Sequence, residues 1–310
     1  MNYYHDNTIV YLDGQFVKAT EIKVDFYSQS AQYGYSVFEG IRSYRTVSGH
    51  AKIFKAREHY ERLKFSADAL HLPFDYTVEQ LIDTTYELLK RNNLQDAYIR
   101  PLVHGPANMS FNKNAESHLT IALWEMPLFF GEKLLSVMTS SFERPNPKAF
   151  KIQAKAAGHY VNSVLASQEA KENGYDEALL LDINGNVAES TGANVFYERK
   201  KVLYTPAKGN ILPGITRATV IEICNELSIP VAEKFFKPDE MKGADGAFYC
   251  GTAAEIVGLE SLDKIPFTLK WEDSLGYLIQ QAYKNLTVEK SLEEFKSQIH
   301  GDKKFVKAIA

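Results

Sequence analysis

The sequence predicts an α/β chain in two parts, and three observations carry that expectation. Its 310 residues suffice for one large or two ordinary domains, each able to bury a proper core. Strand and helix signals alternate through the first third of the chain. A stretch rich in Pro, Phe and Gly over 127–131 then interrupts the pattern, as a domain boundary does. On this reading residues 1–126 form a small N-terminal α/β domain, 127–134 an interdomain loop and 135–310 a larger C-terminal domain.

The elements follow in order. Residues 37–55 read as two extended runs around Val47-Ser48-Gly49-His50, a hairpin with Gly in its turn. Tyr60, Leu63, Ala67 and Leu70 recur at spacings of three and four, which predicts an amphipathic helix ending near Pro73. Thr77 with Gln80 forms a capping-box pattern that opens a second helix bearing Val78, Leu81, Ile82, Thr85 and Leu89. Strand-like runs follow over 97–104 and 118–124. Past the boundary, 135–140 reads as a strand, and Pro145-Asn146-Pro147 enforces an irregular loop. A helix is expected from about Gly158 to Asn173, where Asn173-Gly174 stops it. Asn184-Gly185 marks a hairpin turn within 177–195, and a second hairpin covers 194–204. Leu212-Pro213-Gly214 launches a helix with Val220, Ile221, Cys224 and Leu227 on one face.

Composition narrows the function. Hydrophobic residues make up 45% and charged residues 24%, and the formal net charge is −4, so nothing invites nucleic acid or an anionic membrane surface. The basic clusters, Arg199-Lys200-Lys201 and Lys303-Lys304 with Lys307, read as solvated turn and tail charges. Two cysteines, Cys224 and Cys250, are too few for a disulfide framework and lack metal-ligand spacing. No signal peptide is visible at the start, and no apolar run reaches the roughly 20 residues of a membrane helix. A cytoplasmic protein is the expectation.

Separated segments together resemble the class IV, fold-type-IV pyridoxal-phosphate enzymes and, within them, the branched-chain aminotransferases. They are Tyr33-Gly34-Tyr35-Ser36-Val37-Phe38-Glu39-Gly40-Ile41-Arg42, Tyr98-Ile99-Arg100-Pro101, Ala154-Lys155-Ala156 and a C-terminal series. That series is Glu189-Ser190-Thr191-Gly192-Ala193-Asn194, Leu212-Pro213-Gly214-Ile215-Thr216-Arg217 and Gly251-Thr252-Ala253-Ala254-Glu255. The resemblance implies a two-domain fold-type-IV architecture: a small N-terminal α/β domain, then a larger C-terminal α/β barrel-like domain that binds pyridoxal 5'-phosphate. It also implies a homodimer or higher homo-oligomer acting on small-molecule amino-acid and 2-oxo-acid substrates.

Transamination needs a lysine that carries the cofactor and moves a proton. Only the neutral amine serves, so its pKa must fall below the ordinary value of about 10.4. Lys155 matches the family's lysine; small neighbours surround it and a predicted helix follows, whose positive end disfavours the ammonium form. Glu189 matches the carboxylate that keeps the pyridine nitrogen protonated, and read locally it is a surface hairpin residue. For the phosphate, the resemblance implies Arg57, Ile215, Thr216, Gly251 and Thr252, with Tyr160 at the phenolic oxygen and Leu212 packing on the ring. The start of a helix at Ile215 is itself an anion site by its free N–H groups. Read locally, Thr216 is merely a first-turn residue and Arg57 a solvated charge. Tyr33, Phe38 and Tyr98 match walls of the substrate pocket, with Arg42 and Arg100 near it and the amides of Thr252 and Ala253 on the α-carboxylate.

The sequence departs from the family in two places. Gly192-Ala193-Asn194 stands where Gly-Glu-Asn is usual, and the 124–130 run does not match the interdomain loop. The expected reaction is transfer of an amino group from L-leucine, L-isoleucine or L-valine to 2-oxoglutarate, giving L-glutamate. The same fold also serves D-amino-acid aminotransferases and aminodeoxychorismate lyases, which usually carry other segments at 33–42 and 98–101. A non-catalytic binding or scaffold protein of this fold is expected to lack Lys155 or Glu189, and both are present.

Overall fold

A computed structural model describes residues 3–301, with side chains through 297. Lys303, Lys304 and Lys307 therefore lie outside the described residues. The chain divides into two compact units, Met1–Pro127 with Lys151–His159 and Leu128–Phe150 with Tyr160–Ala310. Lys155, expected within the 135–310 stretch, packs with the first unit.

The first unit is a seven-stranded sheet backed by helices. Its elements are β1 (Ile9–Leu12), β2 (Gln15–Lys18), α1 (Gln29–Tyr33), β3 (Ser36–Phe38), β4 (Ile41–Arg45), β5 (Ala51–Ile53), α2 (Ala56–Ala69), α3 (Val78–Arg91), β6 (Ala97–His104) and β7 (His118–Trp124). The sheet order is β2-β1-β7-β6-β4-β5, and β3 also pairs with β6. Strand alternation sorts the side chains by face. Ile41, Ile99, Val103, Ile121 and Leu123 pack with Leu63 of α2 and Leu81 and Leu88 of α3 in one core. Arg42, Tyr98, Arg100 and Trp124 project to the opposite face, so a one-residue slip would exchange the two sets of side chains between faces. The expected capping box is present: Thr77 Oγ1 accepts from Gln80 N at 3.1 Å, and Gln80 Oε1 accepts from Thr77 N at 2.8 Å.

The second unit is built on a mixed, barrel-like sheet. It comprises β8 (Leu135–Glu143), α4 (Tyr160–Glu172), β9 (Glu177–Leu181), β10 (Val187–Ser190), β11 (Asn194–Arg199), β12 (Val202–Pro206), α5 (Ile215–Glu226), β13 (Val231–Lys234), α6 (Pro238–Lys242), β14 (Gly246–Gly251), β15 (Glu255–Leu262), β16 (Ile265–Pro266), α7 (Leu275–Thr287) and α8 (Leu292–Gly301). The path β10-β9-β8-β15-β14-β11 returns on itself because β10 also pairs with β11, while β12 and β13 extend it beyond β11. Side chains such as Val137, Leu179, Val195, Tyr249 and Val257 fill one face. On the other, Ala166 and Ala170 of α4 pack on Ala178 and Leu180. β10 is buried at all four positions, β11 and β14 at all but the last, the pattern of strands covered on both faces.

Two boundaries differ from expectation. β8 runs on to Glu143, which pairs with Leu181 after an irregularity, and Pro145 lies just beyond. The helix expected from about Gly158 begins as a 3₁₀ turn, Ala157–His159, before α4 starts at Tyr160. The Gly158 N–H is committed to Gly34 O at 3.0 Å.

Candidate active site

In the first unit, the segment around Lys155 is attached to β3 like an added strand. Val37 and Ala156 form an antiparallel bridge, and Phe38 N donates to Lys155 O at 3.1 Å. Lys155 N donates to Ser66 Oγ on α2 at 3.0 Å. Two glycines make this approach possible: a Cβ on Gly34, which has φ +66°, would meet Gly158 Cα at 3.0 Å. The backbone of Lys155 is thus held from both sides, and its Nζ lies 5.1 Å from the centre of the Phe38 ring.

The aromatic wall expected beside it assembles on the sheet face away from the core. The Arg100 guanidinium lies 4.5 Å from the Phe38 ring centre, and its Nη2 donates to Tyr98 OH at 3.0 Å. Arg100 Nε is buried without a hydrogen-bond partner. Trp124 stands 5.1 Å from Tyr98, ring to ring. Arg42 is buried, and its Nη2 donates to Met126 O at 2.8 Å. Tyr33 does not join this wall. It is exposed, its hydroxyl donates to Met109 O at 3.3 Å, and its ring lies 5.6 Å from that of Phe111.

Arg57 also stands apart. It points from α2 toward solvent and pairs with Glu79 at 2.8 Å. The arginine of α2 on the inner face is Arg62, which the motif reading missed. Arg62 Nε and Nη2 donate to the two oxygens of Glu39 at 2.6 and 2.9 Å, and His59 Nδ1 lies 2.8 Å from Glu39 Oε2. Glu39 sits in the break between β3 and β4 and is fully buried. A signal was available: His59, Arg62, Leu63 and Ser66 follow the i, i+3, i+4, i+7 spacing of one helix face.

Burial pushes the Glu39 carboxyl up, but Arg62 and His59 outweigh it and hold the group well below the usual carboxylate range. Burial pushes the His59 imidazole down, helped by Arg62 and Lys155 against Glu39. Both shifts favour the folded state at neutral pH. The unfolded chain binds the proton more readily in each case, so stability falls as pH drops. His59 acts first, below about pH 6.5, and Glu39 at lower pH. Thermal melts from pH 7.5 to 5 are expected to show this decline, and His59→Gln is expected to flatten it. An unchanged slope in that variant would remove His59 from the explanation.

In the second unit Glu189 is buried on β10 and its carboxylate is fully engaged. It accepts from Leu212 N at 3.1 and 3.2 Å and from Asn194 Nδ2 at 2.9 Å. Arg144 Nε lies 2.8 Å from Oε1, an ion pair in which the N–H is not aimed at the oxygen. Asn194 also donates to Leu212 O at 3.1 Å, so it holds the turn that leads into α5. Gly214 caps α5 without a side chain, and a Cβ there would meet Asn194 Oδ1 at 1.9 Å. The first-turn amides at Ile215 and Thr216 therefore keep the free donors of a helix N-terminus, and Thr216 is buried among them. Tyr160 is half-buried at the start of α4; Gly251 ends β14, and Thr252 and Ala253 lie in the turn that leads to β15. Ala193 is buried beside Gly251, with its N–H donated to Ser190 Oγ at 2.9 Å.

This donor set fits a phosphorylated pyridine. An uncapped helix N-terminus suits a phosphate dianion, and a buried carboxylate braced by Arg144, Asn194 and Leu212 N suits a ring N–H. No helix among the described residues is long and apolar enough to cross a membrane.

A family model described as amino-transferase class IV matches residues 36–262. The branched-chain-amino-acid aminotransferase of Escherichia coli K12 is 36% identical over 264 residues, covering 83% of this chain and 85% of that one. The crystal structure of the branched-chain aminotransferase of Thermoproteus uzoniensis with norvaline superposes with a TM-score of 0.88 at 34% identity, covering 93% of this chain and 97% of that one. The branched-chain amino acid aminotransferase of Thermobaculum terrenum, in its PLP-bound holo form, gives 0.87 at 31% identity, covering 93% and 97%.

Proposed function

Because the chain belongs to the class IV aminotransferases, we propose that it transfers the amino group of L-leucine, L-isoleucine or L-valine to 2-oxoglutarate with pyridoxal phosphate, Lys155 carrying the cofactor. The observation that carries this reading is the placement of Lys155 against Phe38, on an aromatic wall that also holds the half-buried Arg100. An aliphatic side chain packs on Phe38, Tyr98 and Trp124, whereas the distal carboxylate of glutamate finds Arg100, whose Nε has no other partner.

When bound, pyridoxal phosphate supplies the electron sink that the side chains of a protein lack. The chain's own residues do the rest. Lys155 Nζ, as a neutral amine, would take the proton from the substrate Cα and deliver it to the cofactor carbon that bears the amino group. The fixed backbone around Lys155 keeps that short transfer in one geometry. Glu189 favours the protonated pyridine nitrogen, and Asn194 and Leu212 N hold its carboxylate in place. We assign the phosphate to the amides of Ile215 and Thr216, with Gly251 and Thr252. Its arginine is Arg62, on the face of α2 that meets the Lys155 segment, in place of the solvent-facing Arg57. Tyr160 serves the phenolic oxygen and Leu212 packs on the ring. The amides of Thr252 and Ala253 receive the α-carboxylate.

Turnover with L-leucine is expected to exceed that with D-alanine by about 10²-fold or more, the discrimination a shaped pocket provides. A preference for D-alanine, or release of aromatic product from aminodeoxychorismate, would assign the chain to the other reactions of this fold. Arg100→Leu is expected to raise KM for 2-oxoglutarate at least about 10-fold while sparing L-leucine, because only the acid uses the arginine. Equal losses for both substrates would remove Arg100 from that role.

Tyr33, Met109 and Phe111 are exposed apolar residues, with Tyr33 against Phe111, and Phe26 and Tyr27 are exposed and packed ring to ring. Asn108 N donates to Tyr27 O at 2.9 Å and ties the two loops together. We assign these residues to contact with a second copy in a homodimer or higher assembly, where Tyr33 would serve the partner's pocket. Light scattering is expected to give at least a dimer, and Phe111→Asp to weaken it; a monomeric parent chain would overturn the assignment. Unpaired, buried Cys224 and Cys250 suit a reducing compartment, and we place the protein in the cytoplasm.

A further inference from the structure

Glu39 is a fully buried carboxylate without a part in the chemistry assigned above. Both of its oxygens are spent on one edge of the Arg62 guanidinium, and Oε2 is shared with His59. Such a bidentate pair fixes an arginine in plane and in rotamer far better than a single bond does. The plane of the Arg62 guanidinium is then set before any ligand arrives. The ordering entropy of a long side chain is thereby met during folding instead of during binding.

The surroundings point the same way. Glu39 follows Phe38 directly, and Phe38 N is bonded to Lys155 O. Ser66, one turn after Arg62 on α2, receives the Lys155 N–H. One helix face therefore supports both the lysine backbone and the arginine. We propose that Glu39, with His59 behind it, is a positioning residue that pre-orients Arg62 for the cofactor phosphate. This rests on the assignment of Arg62 to the phosphate made above.

The proposal has a sign that simple charge does not share. A carboxylate near a phosphate dianion repels it, so removing the charge alone tightens binding. Removing a positioning contact loosens it. Glu39→Gln keeps the shape but turns an NH₂ toward an arginine or histidine donor, so one bond is lost and one contact becomes repulsive. Glu39→Asp keeps the charge, and with it the fold, while drawing the carboxylate back by one carbon.

The experiment measures binding of pyridoxal phosphate and of phosphate-free pyridoxal to the full chain, by absorbance titration after cofactor removal. Arg62→Ala is measured in parallel. Glu39→Gln is expected to weaken pyridoxal phosphate by about 10- to 100-fold, the value of a hydrogen bond to a charged group. Glu39→Asp is expected to weaken it less, and neither variant to change pyridoxal. Equal losses for both ligands would mean that Glu39 only supports the fold. Unchanged or tighter binding of pyridoxal phosphate would overturn positioning in favour of charge. If Arg62→Ala left pyridoxal phosphate binding intact, the assignment of Arg62 would fall first. If Glu39→Gln does not fold, Glu39→Asp and its pyridoxal control decide between the same outcomes.

Discussion

Lys155→Ala is expected to lower turnover by at least about 10⁴-fold, since one substitution removes both the covalent anchor and the proton carrier. Fold stability is expected to change little. Two hydrogen bonds of the residue's backbone hold this position: Phe38 N on Lys155 O, and Lys155 N on Ser66 Oγ. Alanine keeps both. The visible band of lysine-bound cofactor is expected to vanish, and borohydride reduction is expected to leave no cofactor mass on the peptide containing residue 155. A variant that retained label at another lysine would show that the anchor lies elsewhere.

Glu189→Gln carries the second large expected effect, roughly 10²- to 10³-fold in kcat, comparable with loss of one charge-stabilising group in an active site. The amide still accepts from Leu212 N and Asn194 Nδ2 with its oxygen, but it no longer favours a protonated ring nitrogen. A stability loss is also expected. Arg144 is buried against this carboxylate, and leaving such a charge unpaired costs about 3–5 kcal/mol. The two effects separate experimentally. Arg144→Leu with Glu189→Gln is expected to recover much of the melting temperature and none of the rate. Full recovery of rate in the double variant would mean that Glu189 acts only as the partner of Arg144.

Much of the architecture was legible because local chemistry and tertiary structure agree. Thr77 and Gln80 form their capping box, and Gly185 takes the positive φ that its hairpin turn requires. β6 and β7 were readable at their ends because their burial alternates with side-chain period. The turn at Lys200 and Lys201 shows another case: both residues take positive φ without glycine or asparagine, and the flanking pattern alone exposed the hairpin. β14 and β15 lack such a signal. Being buried on both faces, they show no alternation, and an apolar run of that length reads equally well as a buried helix segment.

The candidate site divides along a similar line. The turn at Gly214, where a Cβ would meet Asn194 Oδ1 at 1.9 Å, and the helix start at Ile215 and Thr216 were visible because turn and helix signals are local. Residues whose role depends on which way a helix faces were not. Arg57 and Arg62 are both arginines of α2, five positions apart, and the rotation of the helix sends one to Glu79 in solvent and the other to buried Glu39. Arg144 likewise reaches Glu189 across 45 residues of sequence, a pairing that no local pattern encodes. Ala193 lies where the family usually has a carboxylate, and it is buried with its Cβ against Gly251.

The most direct test of the central claim is the visible spectrum of the purified protein before and after L-leucine, with no 2-oxo acid present. The proposed activity requires the band of the lysine-bound cofactor to be present and to be replaced by that of the amino form, with one equivalent of 4-methyl-2-oxopentanoate released. A band that L-leucine leaves unmoved, while D-alanine discharges it, would contradict the assignment of an L-branched-chain aminotransferase.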